Sequence, residues 1–372
     1  MCGIAIGIVS VWGHRTMNEI ERIEQIVKDA ASCGASDIHL IPGAPIMYRI
    51  DGAMTPVTEK KISPFEVSDI MKPVLTEKME AVLETEGEVD FAHSFTGLSR
   101  IRINVFRQRG TIAATLRILS AEIPGPETLG LPQEVINLTD LKRGLVIVTG
   151  SAGSGKSTTL AALVNEISKK YVKSIITLED PIEYLLSHNK SVISQREIGY
   201  DTKSYAGALQ ASLRQDPDVI LIGELRDMET IQTAITAAET GHLVFSSLHT
   251  NNVVSTIERL VDVFPPYQQQ QVRVQLADVV KGVISQQLLP KIHSKGRVAA
   301  YEVLLANQEV RSAIRNGKTH NIPGLIQNGR REGMQAMDDA IYDLYMKSYI
   351  SSDTAIKFAQ ERTEMSQKVT IF

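Results

Sequence analysis

The chain has 372 residues, enough for about two domains, and its hydrophobic content of 43% supports ordinary cores. A formal net charge of -4 argues against a protein that coats nucleic acid, which usually carries a basic surplus. The two cysteines, Cys2 and Cys33, form no C-x-x-C, so neither a zinc ribbon nor a disulfide framework is readable and a reducing cytosol is the expectation.

Residues 1–16 are apolar in part but brief, and read as an irregular leader. Residues 17–120 read as a small α+β domain. Ile20, Ile23, Ile26, Val27 and Ala30 share one helical face, and Gly34 ends that helix. Ile38–Leu40 and Met47–Ile50 are strand-like, with Asp51-Gly52 as a hairpin turn. Ser63, Pro64 and Glu66 form a helix start with a capping box. Two further strands, Arg100–Phe106 and Thr111–Leu119, alternate apolar and polar residues, which leaves Arg102 and Arg117 on outward faces. Residues 121–132 hold Pro124, Gly125, Pro126, Gly130 and Pro132, the chemistry of a linker. From 133 to 372 strands alternate with helices, the pattern of a mostly parallel sheet. After about residue 266 the pattern turns helical, with one apparent strand over 298–304.

The apolar run Leu145–Val148 enters Gly150-Ser151-Ala152-Gly153-Ser154-Gly155-Lys156-Ser157, which fits G-x-x-x-x-G-K-[ST]. A strand, a glycine loop and a helix N-terminus make an anion site, because loop amides and the helix dipole both favour negative charge. Lys156 is expected to reach the β- and γ-phosphates and Ser157 to ligate Mg²⁺, with Thr158 completing the nucleotide-binding set.

Three clusters follow. Ile175–Leu178 ends in Glu179, Asp180 and, after Pro181-Ile182, Glu183. These acids either hold metal and water at a strand end or are a solvated polar turn. Asp216–Asp227 contains a buried strand with Glu224 just past its end, placed to orient and deprotonate a water, while Asp227 suits a helix N-cap. Thr240–Thr250 places His249 at the ligand-facing end of a strand, where an imidazole could meet a γ-phosphate; His242, before the strand, reads as structural.

In this order the four segments resemble the Walker A, Asp box, Walker B and His box of the type II/type IV secretion ATPases, and within them the type IV pilus retraction motors of twitching motility. Gly34–Leu40, Val261–Pro265 and Gly333–Asp338 extend the resemblance from about Met17 to Ile350. The short first domain and the missing tetracysteine module set the chain apart from the extension and secretion branches. Ala313-Ile314-Arg315-Asn316 matches a C-terminal segment of the retraction motors. Gly317 stands where they carry leucine, and is expected to remove an apolar contact and loosen the backbone.

The resemblance implies an α/β protein: a RecA-like P-loop NTPase domain preceded by a small α+β PAS-like domain. It implies a cytoplasmic homohexamer, peripheral at the inner face of the membrane, hydrolysing ATP with Mg²⁺. It further implies metal roles for Ser157, Glu179 and Asp180 and catalytic roles for Glu224, Glu183 and His249. Arg102 and Arg117 would be charge-stabilising contacts to the phosphates at a subunit or domain interface; by residue pattern alone they also fit solvated surface arginines. The implied partners are an inner-membrane pilus platform protein and an extension or paralogous motor, with no nucleic acid. The competing expectations are an extension or type II secretion ATPase, a low-turnover regulatory ring component, and a RecA-like translocase.

Overall fold

The computed structural model describes residues 19–50, 52–95, 100–119, 122–293 and 296–370. The expected leader with Cys2, and Asp51 of the hairpin turn, lie outside the described residues. Two compact units are defined by their internal contacts: residues 1–122 with 183–185, and residues 123–182 with 186–372.

The first unit runs α1 (Glu19–Ser32), β1 (Ala35–Leu40), β2 (Met47–Ile50), β3 (Ala53–Pro56), α2 (Pro64–Met71), α3 (Glu77–Glu86), β4 (Glu88–Ser94), β5 (Arg100–Gln108) and β6 (Thr111–Ile118). Its six strands form an antiparallel sheet in the order β3-β2-β1-β6-β5-β4. Ile23, Ile26 and Val27 of α1 and Val67 and Ile70 of α2 pack on Ile101, Ile103, Val105 and Leu116, so alternation along β5 and β6 becomes one buried and one polar face. The capping box at α2 is present in both directions: the Ser63 hydroxyl accepts the Glu66 amide, and the Glu66 carboxylate accepts the Ser63 amide.

The second unit continues with α4 (Gln133–Asn137), β7 (Gly144–Thr149), α5 (Lys156–Lys170), β8 (Ser174–Glu179), β9 (Val192–Glu197), α6 (Tyr205–Ser212), β10 (Val219–Ile222), α7 (Met228–Glu239), β11 (Leu243–Leu248), α8 (Val253–Asp262), α9 (Pro266–Val279), β12 (Val280–Pro290) and β13 (Arg297–Leu305). It closes with α10 (Gln308–Arg315), α11 (Ile322–Asn328), α12 (Met337–Met346), α13 (Ser352–Phe358) and α14 (Arg362–Thr370). Its sheet order is β13-β12-β7-β11-β10-β8-β9, parallel except for the antiparallel β12–β13 hairpin. Every residue of β7, β10 and β11 is buried, as for strands covered on both faces. Helix α5 packs Leu160, Leu163, Val164 and Ile167 on one face, while α7, α8 and α9 cover the other. No helix among the described residues is long and apolar enough to cross a membrane.

The expected helical stretch after residue 266 is corrected at 280–290, which is a strand inserted beside β7. Its apolar residues Val280, Val283 and Ile284 fall at helical spacing, but the segment is buried on both faces, so no alternation marks it. A register shift between Val280 and Gly282 sets its pairing with β7. The segment read as a linker is seated on the second unit at its C-terminal end: Leu131 is buried, and the Tyr301 hydroxyl donates to the Leu129 carbonyl at 2.9 Å.

Gly317 also differs from expectation. It lies at φ +67 just after α10, where the Gly317 amide donates to Ile314 O and the Lys318 amide to Ala313 O. That pair of bonds is a Schellman cap, in which glycine fits the left-handed residue without strain. The glycine stops the helix in an ordered turn rather than loosening it.

Candidate active site

Because β7, β11, β10 and β8 run parallel, their carboxyl ends share one edge of the sheet. That edge gathers the loop after Thr149, His249 after β11, Gly223-Glu224 after β10 and Glu179-Asp180 at the end of β8. Ligands of open α/β sheets bind at such edges.

The glycine loop runs from Thr149 into α5, whose N-cap is Gly155. Gly150 has φ +147, and a Cβ there would collide with the Gln286 carbonyl oxygen of β12 and the Ser154 hydroxyl. Only glycine lets the loop fold this close to the strand. The Lys156 ammonium donates to the carbonyls of Gly150 at 2.9 Å and Ser151 at 3.1 Å, and its side chain is buried. The Ser154 hydroxyl is buried with no hydrogen-bond partner, a polar atom lodged inside a loop whose amides suit an anion. Ser151, Ala152, Gly153 and Ser157 are exposed and Thr158 is half-buried.

A line of charged groups leaves the loop. Lys156 Nζ is 3.3 Å from His249 Nδ1, and His249 Nε2 is 3.4 Å from Glu224 Oε2. An ammonium only donates, so Nδ1 is the acceptor and the ring proton sits on Nε2, facing the carboxylate. The other Glu224 oxygen pairs with Arg226, whose guanidinium also comes within 4.0 Å of Asp180. The Glu224 side chain is only 12% exposed, so these partners face a nearly dry carboxylate. The Glu224 hydrogen bond raises the Arg226 guanidinium above its ordinary range. Gly223 admits the crossing of chains here: a Cβ would come within 2.8 Å of the Tyr205 hydroxyl and 3.3 Å of the Leu178 carbonyl. Asp227 caps α7 through the Thr230 amide at 2.8 Å, so the catalytic and capping readings of this segment fall on different residues.

The acidic box is divided. Glu179 is half-buried and its Oε1 accepts from Thr177 Oγ1 at 2.6 Å and Gln195 Nε2 at 3.1 Å, which turns it back along the sheet. Asp180 is exposed toward Arg226. Glu183 is exposed and groups with the first unit. Within that unit, Arg102 and Arg117 stand directly opposite each other on β5 and β6. Like charges at such positions repel, and each is answered by an acid. Arg102 makes a bidentate pair with Asp90 at 2.7 and 3.1 Å, and Arg117 pairs with Asp37 at 2.9 Å. Burial opposes ionisation of Asp37, but its bonds to Arg117 and Ser36 outweigh this and hold the carboxyl below its usual range.

Sequence reasoning passed over several residues that shape the site. Gln286 of β12 donates to Ser154 O at 2.8 Å and accepts from Thr159 Oγ1 at 2.7 Å, bracing the loop from behind. Arg297 of β13 donates to Gly153 O at 3.3 Å. Thr149, Thr250 and Thr256 form a hydroxyl chain with spacings of 2.6 and 2.7 Å, which ties the end of β7 to the His249 loop. The buried Glu197 carboxylate accepts the Ile182 amide at 3.1 Å and fixes the acidic turn. For Gln286 and Arg297 the signal needed was the pairing of β12 with β13, which depended on recognising residues 280–290 as a strand.

Among known families, the model described as type II/IV secretion system protein matches residues 15–357. The type IV pilus retraction ATPase PilT of Pseudomonas aeruginosa is 40% identical over 333 residues, covering 90% of this chain and 96% of that protein. A twitching motility protein of Neisseria gonorrhoeae is 41% identical over 320 residues, covering 86% of each. The solved structure of the pilus retraction motor PilT with bound ADP superposes with a TM-score of 0.87 at 47% identity, covering 92% of this chain and 98% of that one.

Proposed function

The chain belongs to the type II/IV secretion system protein family, and from that premise we propose that it is an ATPase whose ATP hydrolysis powers type IV pilus retraction and twitching motility. The observation that carries the catalytic part is the line Lys156–His249–Glu224 at the carboxyl edge of the sheet. The retraction part rests on the similarity to retraction motors across nearly the full length of both chains.

In this reading the loop amides of residues 150–157, Lys156 and Thr158 hold the phosphates of ATP. Ser157, exposed at the first turn of α5, and the carboxylates of Glu179 and Asp180 are hard oxygen donors of the kind Mg²⁺ takes. Among the described residues no three His, Cys, Asp or Glu side chains form a group that could hold a metal ion by themselves. When bound, Mg²⁺ neutralises charge on the β- and γ-phosphate oxygens. Glu224 orients a water and takes its proton as the water oxygen bonds to the γ-phosphorus and the bond to the β–γ bridging oxygen breaks, leaving ADP and phosphate. His249, hydrogen-bonded to Lys156 and 3.4 Å from the Glu224 carboxylate, follows the γ-phosphate, and Glu183 shapes the water environment. Arg102 and Arg117 supply positive charge to a neighbouring subunit's phosphates in a homohexamer. The motor works in the cytoplasm against an inner-membrane platform protein, alongside an extension or paralogous motor.

Turnover by purified protein tests the chemistry. Glu224→Gln should lower kcat by about 10²- to 10⁴-fold while ADP still binds; wild-type turnover in that variant would remove Glu224 from the role. In the host, loss of the protein should leave pili present but immobile. Absent pili would instead assign the motor to extension.

A further inference from the structure

Ser285 and Glu302 face each other across the β12–β13 hairpin. Both reach the segment that follows His249. The Ser285 hydroxyl donates to Asn251 O at 3.1 Å, and the Glu302 carboxylate accepts the Val253 amide at 3.0 Å. Val253 is the first residue of α8, and the Asn252 side chain already caps Ser255, so Glu302 satisfies a second open amide at that helix end. Glu302 is buried. On its other side stands α12, where both oxygens of Asp338 accept backbone amides of the α13–α14 turn, from Gln360 at 2.7 Å and Glu361 at 2.9 Å.

Stability alone does not favour this arrangement. Burial, opposed by hydrogen bonds from the Val253 amide and the Gln360 side chain, pushes the Glu302 carboxyl up to about 7, and the neighbouring Asp338 adds to the rise. A buried carboxylate beside a second acid is costly, and a neutral acceptor could cap Val253 without that cost. The loop it grips is four residues long, from His249 to Asn252, and its near end is tied to Thr149 through the Thr250 amide at 3.2 Å. A short segment fixed at both ends has little freedom, so the anchor at Val253 bears on the imidazole.

We propose that Glu302 is a positioning residue for turnover: by holding the first amide of α8, it sets where His249 stands against Lys156 and Glu224. The inference rests on the ATPase reading and adds to it a residue that bears on turnover through His249.

The experiment compares ATP turnover, ADP affinity and melting temperature in the full chain for wild type, Lys156→Ala, Glu302→Leu, Glu302→Gln, His249→Ala and the Glu302→Leu/His249→Ala double variant. Glu302→Leu fills the buried site and removes the acceptor. It should lower kcat about 10- to 100-fold, the scale of a misplaced active-site group, with ADP affinity close to wild type and only the modest fall in melting temperature that one unpaired buried amide causes. Glu302→Gln, which keeps an acceptor for Val253, should restore most of the rate. The double variant should be no slower than His249→Ala alone, because coupled residues are not additive. Additive losses, a parallel fall in ADP affinity, or a collapse of the melting temperature that accounts for the lost rate would overturn the proposal. Wild-type protein with no Lys156-dependent turnover would overturn the ATPase reading, and this one with it.

Discussion

Glu224 has partners on both oxygens, Arg226 on one and His249 on the other, and both come from residues its own strand end and the next strand supply. This is why the juxtaposition of these residues was legible in the sequence. Motif residues sit at strand ends, the strands are apolar runs, and a parallel sheet aligns their carboxyl ends. The residues that steady them are another matter. Thr149 and Thr250 are 101 positions apart, and Gln286 and Ser154 are 132 apart. No local pattern reports such contacts. Elsewhere a local pattern suffices, as at Glu66, whose carboxyl is held down to about 2, first by the Ser63 amide and also by the Ser63 hydroxyl and Lys60, against burial. A folded value below the ordinary 4.5 means stability that is present above 4.5 and lost as pH falls toward 2. Glu66→Gln keeps the capping acceptor without the titration. Its thermal midpoint should fall less steeply than wild type through that window, and parallel slopes would show that the capping box contributes nothing pH-dependent.

At the scale of elements, most boundaries follow from caps and alternation. Asp227 and Ser63 start helices as their types suggest, and β5 and β6 show their faces plainly. Strand β12 escaped because burial on both sides erases the period of two that identifies a strand. With it went Gln286, the residue that joins the strand to the glycine loop. Gln286→Leu should therefore test the element rather than the motif. It leaves the Ser154 carbonyl and the Thr159 hydroxyl buried without their partner, a loss of about 1–3 kcal/mol. If the loop is what yields, nucleotide affinity should weaken by about tenfold, since 1.4 kcal/mol is a factor of ten. Titration with a fluorescent ADP analogue gives the answer, and unchanged affinity would mean that the loop holds its shape without β12. The Gly317 turn makes the complementary point. The glycine expected to loosen the backbone is absorbed as a helix cap, a local solution that composition alone could not distinguish from a loose hinge.

For the whole molecule, the question is whether the first unit serves the second's chemistry. Arg117 is engaged with the buried Asp37, whereas Arg102 pairs with Asp90 at the surface, and exposed ion pairs of that kind contribute about 0–1 kcal/mol. Arg102→Ala should then leave the melting temperature nearly unchanged while lowering turnover. Mixing Arg102→Ala with Lys156→Ala subunits should recover part of the activity if the arginine acts in a neighbour's site. Mixed assemblies that form but stay inactive would count against a contact made in trans.

The β12–β13 hairpin has a mechanical consequence. Strand β12 is 11 residues long, a span of roughly 36 Å at the usual rise. It is touched near its middle by the glycine loop through Gln286. One end continues directly from α9, and near the other Leu289 packs into the C-terminal helical cluster. A tightening of the loop around its phosphates that displaced Gln286 would therefore be passed along one strand toward both α9 and the C-terminal helices.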